Sequence, residues 1–156
     1  MKHLLSVFAM IFTMQVAQAA EAKVISKEDL VKFVEAGKDY IKKNGKDKSF
    51  AVFNDEKNPL FQKGELYFFA YDMNGKCIQH GKKPGLIGTD AIKLEDKKGK
   101  FLIKEMVEIA KTKKAGFIEY YWPNPANNNQ VEKKLGYITE VDGQYLIGSG
   151  IYLGKD

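Results

Sequence analysis

The chain has 156 residues, 44% of them hydrophobic and 12% aromatic, with 25 basic and 20 acidic side chains and a formal net charge of +5. That is one domain's worth of chain with enough apolar content for a packed core, which excludes intrinsic disorder and a two-domain layout. The lone Cys77 excludes an internal disulfide, a Cys-based zinc site and c-type haem attachment. Among the charged bases all are Lys and none is Arg, so an anion must be met by ammonium, hydroxyl or backbone N–H rather than by a guanidinium fork. The lysines alternate with acids, as in Glu95-Asp96-Lys97-Lys98, which reads as solvated surface and not as a nucleic-acid stripe.

Met1 to Ala20 joins Lys2 and His3 to an apolar run, Leu4–Met14, and ends in Ala17-Gln18-Ala19. This is the charged start, apolar middle and small-x-small cut of a secretory signal peptide, expected to span residues 1–20. The apolar run is too short for an anchor and is broken by Thr13, Gln15 and Gln18, and no Cys stands near the cut to carry a lipid. The expectation is a periplasmic protein that does not itself span the membrane, with residues 21–156 as one domain.

Ser26, Glu28 and Asp29 mark a helix start, because the hydroxyl can satisfy an orphan N–H and the acids face the positive end of the dipole. Leu30, Phe33, Val34, Gly37, Tyr40 and Ile41 then recur at helical spacing until Asn44-Gly45 stops the helix. Ser49–Asn54 fits a helix or a strand. Leu66–Tyr71 is apolar or aromatic throughout and predicts a strand; Asp72-Met73-Asn74-Gly75 turns it and Cys77–His80 returns, giving a hairpin. Gly81–Leu94 reads as an ordered loop and Asp96–Gly99 as a turn. A second helix follows from about Phe101 to Lys113. Three strands close the chain, at Phe117–Trp122, about Lys134–Val141 and about Gln144–Tyr152. Pro123–Asn129 forms a longer loop and Asp142-Gly143 a tight turn.

The order predicts an α+β domain in which helices pack on a five-stranded antiparallel sheet. Alternation puts Ile118, Tyr120 and Trp122 on one face of their strand and Phe117, Glu119 and Tyr121 on the other. Both faces carry large apolar groups, so both should be covered: one by the N-terminal helix, the other by loops and the second helix around a cavity.

Seven stretches resemble the single Cache domains, extracytoplasmic PAS-like sensor modules, and most of all their second subgroup. They are Leu66–Asp72, Asn74-Gly75 followed by His80, Leu86–Asp90, Asp96–Phe101, Tyr120–Pro125, Lys134-x-x-Tyr137 and Gly148–Tyr152. The resemblance implies a long N-terminal helix against the five-stranded antiparallel sheet and a small-molecule pocket on the opposite side, in several members for small organic acids. Members usually lie between transmembrane helices of chemoreceptors, kinases or cyclases. Here the chain ends at Lys155-Asp156, so transmission is expected to pass through a membrane receptor or kinase partner.

A carboxylate ligand needs a cation or several donors within an apolar enclosure. Lys134 is the candidate cation, while Tyr120 and Trp122 offer ring surface with polar tips; core packing, with Lys134 reaching to water, is the competing use. Tyr137 joins the set through the Lys134-x-x-Tyr137 motif, although alternation puts these two side chains on opposite faces. Of Tyr67, Phe69 and Tyr71, which share a face, Tyr71 is expected to reach the cavity. His80 either binds the ligand or pairs with a backbone carbonyl; alternation aligns it with Ile78 and against Cys77. As an imidazole lining a pocket it would make binding pH-dependent near neutrality. Gly148 and Gly150 mark a close approach of ligand or backbone, or a bulge.

No catalytic motif or cofactor-binding motif is present, and no third ligand joins His80 and Cys77 for a metal. The expectation is a non-enzymatic sensor for a small organic acid, with Tyr71, His80, Tyr120, Trp122, Lys134 and Tyr137 as its site. The alternative is an interaction module that docks on a membrane receptor, redox or transport complex with no ligand of its own.

Overall fold

The computed structural model describes residues 24–61 and 64–154; the expected signal peptide lies outside the described residues. Helix α1 runs Lys27–Asn44 and α2 Lys46–Asn54. Strands β1 (Phe69–Asp72) and β2 (Cys77–His80) follow, then α3 (Leu102–Lys113) and strands β3 (Ala115–Asn124), β4 (Gln130–Val141) and β5 (Tyr145–Gly154).

The start of α1 forms a capping box. Ser26 Oγ accepts from the Asp29 N–H at 3.0 Å, and Asp29 Oδ2 accepts from the Ser26 N–H at 3.2 Å. At its end the Gly45 N–H donates to Ile41 O, and Gly45 has φ 82, a region glycine enters without steric cost. The ambiguous segment after it is helical. Its buried Ser49, Phe50 and Phe53 recur at helical spacing on one side of α2.

The five strands form one antiparallel sheet in the order β2-β1-β5-β4-β3. Strands β3 and β4 are longer than the expected Phe117–Trp122 and Lys134–Val141, because they stay paired from Ala115↔Thr139 to Asn124↔Gln130, which takes Pro123 and Asn124 out of the expected Pro123–Asn129 loop. Helices α1 and α2 cover one face, where the Phe68 ring stacks on Phe33 at 4.6 Å and on Phe53 at 4.2 Å. Helix α3 and the segment leading into it cover the other face, burying Leu102, Ile103, Met106 and Ala110 against Phe69, Ile118, Tyr120 and Ile138. Both faces are therefore filled, as expected for an α+β PAS-like sheet.

The hairpin departs from strict alternation. Phe69 pairs with His80 and Ala70 with Gln79, but Tyr71 pairs with Cys77, so Ile78 is an extra residue in a bulge. The bulge turns Ile78 toward the helix-covered face while Cys77 joins the cluster under α3. His80 thus shares its face with Cys77 and not with Ile78, the reverse of the simple period-two expectation.

The segment between β2 and α3 is tied to both edges of the sheet. Backbone bonds link Cys77 with Gly88 and Thr89, and Gly75 with Ala91, at the β2 edge. At the β3 edge, Asp96 Oδ2 accepts from the Tyr121 N–H at 3.0 Å, while its Oδ1 accepts from the Lys98 and Lys100 amides at 2.8 and 3.0 Å. Lys100 Nζ donates to Glu119 O. One carboxylate therefore shapes the turn and fastens it to the strand, which sets where α3 begins over the sheet.

Candidate ligand site

Between α3 and the sheet lies a cavity lined by Tyr67, Phe69, Tyr71, His80, Tyr120 and Trp122 on the sheet side and by Leu102, Ile103 and Met106 from α3. Period-two alternation along β3 delivers Tyr120 and Trp122 to the same side, and antiparallel register sets Lys134 opposite Tyr120 on one flank and Tyr152 on the other. The enclosed space is small, about 10 Å³ of free volume, roughly room for one water.

Glycines beneath the site let large side chains lie flat on the sheet. A Cβ on Gly148 would stand 2.6 Å from the Phe69 ring, and one on Gly150 would stand 2.7 Å from Lys134 Cε. The close approach at Gly148 is that of side chains, and at Gly150 it is that of the Lys134 side chain together with the Leu135 backbone carbonyl, whose oxygen would lie 2.8 Å from a Cβ.

Lys134 is fully buried beside this cavity. Its Nζ donates to Tyr67 Oη at 2.8 Å and lies 4.1, 4.8 and 5.9 Å from the ring centroids of Tyr67, Tyr152 and Phe69. The Tyr67 and Tyr152 hydroxyls are 3.2 Å apart, and Tyr152 Oη donates to Pro123 O at 2.8 Å. Among the described residues no carboxylate comes within 4.0 Å of the ammonium. Glu65 feels its charge but accepts from the Tyr152 N–H at 3.0 Å; burial raises the Glu65 carboxyl above its ordinary value, partly offset by that bond and by Lys134. Ring contacts return about 0.5–2 kcal/mol each to a desolvated cation. Removing it from water costs several kcal/mol. The ring contacts and the hydrogen bond to the Tyr67 hydroxyl work against that cost.

His80 is also buried, and its ring lies 6.0 Å from Trp122 in a stacked arrangement. Its Nδ1 accepts from the Lys82 and Lys83 amides at 3.3 and 3.0 Å, so the ring proton resides on Nε2. The partners are backbone N–H groups and not the carbonyl of the bland expectation. Burial, aided by the charges of Lys134 and Lys83, lowers its pKa to about 3. The ring is neutral at physiological pH, which removes the expected titration near neutrality.

Tyr71 is buried with its hydroxyl beside the Cys77 thiol, and desolvation raises both groups, the thiol to about 11. Cys77 is thus a buried thiol and not an activated nucleophile. Burial likewise raises the Tyr120 phenol far above its ordinary range. Trp122 is half-buried, with Lys83 Nζ 5.5 Å above its ring.

Five of the six sequence-chosen residues, Tyr71, His80, Tyr120, Trp122 and Lys134, meet on this side. Tyr137 does not: it packs toward α1 on the opposite face, its Oη donating to Glu35 Oε1 at 3.1 Å and its ring 5.0 Å from Phe117. The alternation between Lys134 and Tyr137 holds without a bulge between them. The reading missed Tyr67, Phe69 and Tyr152. Tyr152 carried a usable signal, since a hairpin closed at Asp142-Gly143 with Val141 opposite Tyr145 places Lys134 opposite Tyr152. Among the described residues no helix is long and apolar enough to cross a membrane, and no group of three His, Cys, Asp or Glu could hold a metal ion.

The sequence pattern of the Cache domain matches residues 56–155. The chain is 32% identical over 87 residues to the methyl-accepting chemotaxis protein McpP of Pseudomonas putida, covering 56% of this chain and 16% of that protein. It is 32% identical over 88 residues to the sensor histidine kinase MctS of Rhizobium johnstonii, covering 56% and 19%. The chain thus spans less than a fifth of the length of either relative. Among solved structures, a methyl-accepting chemotaxis protein from Vibrio parahaemolyticus superposes with TM-score 0.64 at 26% identity, over 81% of this chain and 88% of that one. A Cache chemosensory domain described for its carboxylic acid recognition superposes with TM-score 0.69 at 23% identity, over 81% and 92%, a likeness of fold. With its helices on a five-stranded antiparallel PAS-like sheet and this match over most of its described length, the chain belongs to the Cache domain family of extracytoplasmic sensor domains.

Proposed function

We propose that this protein is a periplasmic binding domain for a small organic acid, exported by a cleaved leader at residues 1–20, with residues 21–156 as the binding domain. The observation that carries the reading is the Lys134 ammonium, fully buried and, among the described residues, hydrogen-bonded to a hydroxyl and set over aromatic rings with no carboxylate within 4.0 Å. A ligand carboxylate supplies the countercharge that the described residues do not bring into contact. Around it, the Nε2–H of His80 and the indole N–H of Trp122 are donors only, and the Tyr71 and Tyr120 hydroxyls can donate, so an anion finds matching groups.

The names of the relatives support a role in chemotaxis or kinase signalling, and a membrane receptor or kinase is the partner through which occupancy would be read. The small free volume favours a second reading, an interaction module with a filled interior and no ligand of its own. A thermal-shift screen of acetate, propionate, lactate, pyruvate and succinate, followed by Trp122 fluorescence, separates the two. Stabilisation by one class of acid, lost in Lys134→Met, supports binding. No shift and no fluorescence change would turn the assignment to the interaction module. Mass spectrometry of the protein from a periplasmic extract tests the cleavage after about residue 20.

A further inference from the structure

A second space lies behind the cavity wall. Gly64, Glu65, Tyr67, Lys82, Pro125 and Ala126 line a surface cleft of about 190 Å³. Among the described residues, Tyr67 is the one that lines both this cleft and the buried cavity. It is held there by two hydroxyl contacts, to Lys134 Nζ at 2.8 Å and to Tyr152 Oη at 3.2 Å. Tyr67 precedes β1 and lies outside its ladder, which begins at Phe69, although its neighbour Phe68 still accepts from the Gly81 N–H.

Resting on the binding role proposed above, we infer that Tyr67 is a gate and the Glu65–Ala126 cleft is the vestibule through which a small organic anion reaches Lys134. The closed cavity holds roughly one water, so an acid of two or more carbons needs space that the closed state lacks. Rotation of the Tyr67 ring joins the cavity to the 190 Å³ cleft and opens a path to the ammonium. The same rotation breaks the Lys134–Tyr67 hydrogen bond, and the incoming carboxylate takes the place of the phenol oxygen on Nζ. Opening and binding are thus one exchange of acceptors at a single cation, so the charge is never left without a partner for longer than the exchange itself. Lys82 and Glu65 both line the vestibule, and Lys82 is paired with Glu56 at 3.0 Å, so the path carries charges of both signs and leads to the ammonium of Lys134. On the other side, the roof over the cavity is fastened by the Asp96 contacts to β3, which makes a side-chain rotation the smaller movement.

The test is stopped-flow Trp122 fluorescence with propionate on the full chain, comparing wild type with Ala126→Phe, which adds bulk without a second indole, and measuring both by isothermal titration in parallel. Ala126 is exposed and does not line the cavity, so a bulky replacement obstructs the vestibule without touching the binding groups. Passage through the vestibule predicts association and dissociation rates that fall by the same factor, about tenfold, with Kd unchanged. Wild-type binding with rates left within about twofold by Ala126→Phe overturns the gate and points to access beneath α3. If no small carboxylate binds, the ligand reading fails separately, and the gate is decided by relaxation dispersion on fluorotyrosine-labelled protein: microsecond-to-millisecond exchange at Tyr67 supports it, and a rigid Tyr67 ring overturns it.

Discussion

Lys134 Nζ donates to the Tyr67 hydroxyl at 2.8 Å in a fully buried setting, a cation resting on a neutral oxygen. Replacing Lys134 by Met keeps an unbranched apolar stem, one atom shorter, and removes the desolvated charge with its contacts to the rings. Folding stability should hold or rise by about 1–4 kcal/mol in urea denaturation, while affinity for a carboxylate ligand drops at least tenfold, by about 1.4 kcal/mol or more. Destabilisation with binding intact would make the ammonium a structural group.

Gly148 lies under the Phe69 ring, and a Cβ there would stand 2.6 Å from Phe69 Cε2 and 2.8 Å from Ile138 Cγ2. Gly148→Ala should cost about 1–3 kcal/mol by overpacking, seen as a lower urea midpoint. The displaced Phe69 ring also narrows the cavity, so ligand affinity should fall with stability. An unaltered midpoint would mean that the sheet gives way more easily than its ladder suggests.

His80 provides a pH prediction with a definite sign. Its pKa falls from 6.5 to about 3 on folding, so between these values the unfolded chain binds more protons than the folded one. The stability tied to a neutral His80 is complete above pH 6.5 and is lost as pH falls toward 3, with a slope of at most about 1.4 kcal/mol per pH unit. His80→Asn, which keeps an acceptor for the turn amides, should flatten that part of the profile. Between pH 6 and 8 ligand affinity should show no titration assignable to His80; an NMR titration of its ring protons with a midpoint near 6.5 would contradict the burial argument.

Asp96 accepts three backbone N–H bonds, two within its own turn and one from Tyr121. Asp96→Ala leaves these donors to water and should cost about 1–3 kcal/mol. Hydrogen exchange should quicken at the Tyr121, Lys98 and Lys100 amides and at the first turn of α3. Unchanged exchange at Tyr121 would show that its amide is protected by other means.

Tyr137 tests the face assignment. Tyr137→Phe removes the bond to Glu35 on the α1 side and should lower stability by about 0.5–1.5 kcal/mol. Affinity for the carboxylate should stay within about twofold, because the side chain is on the far side of the sheet from Lys134. A large loss of affinity would place α1 in the binding mechanism.

Much of the architecture was legible from local rules. The 3.6-residue spacing of Leu30 to Ile41, the Ser26–Asp29 cap and the positive-φ turn at Asp142 and Gly143 are properties of a few adjacent residues, and each is found where the chain announces it. The alternation of β3 correctly grouped Tyr120 with Trp122, and that of β4 correctly separated Lys134 from Tyr137. The same rule failed at His80, because a bulge depends on the partner strand and leaves no mark in four residues of β2.

By itself, the sequence determined most element types, the two-sided sheet and that any cation had to be a Lys, since periodicity, capping and the absence of Arg act over short spans of chain, while Ser49–Asn54 stayed open between helix and strand. Only the tertiary structure decided that Lys134 meets Tyr67 and Tyr152, that the His80 proton sits on Nε2, and that one tyrosine stands between two cavities. These are relations between strands distant in the chain. Burial and register set them, because the energy of a charge or a ring depends on which side chains surround it and not on its sequence neighbours.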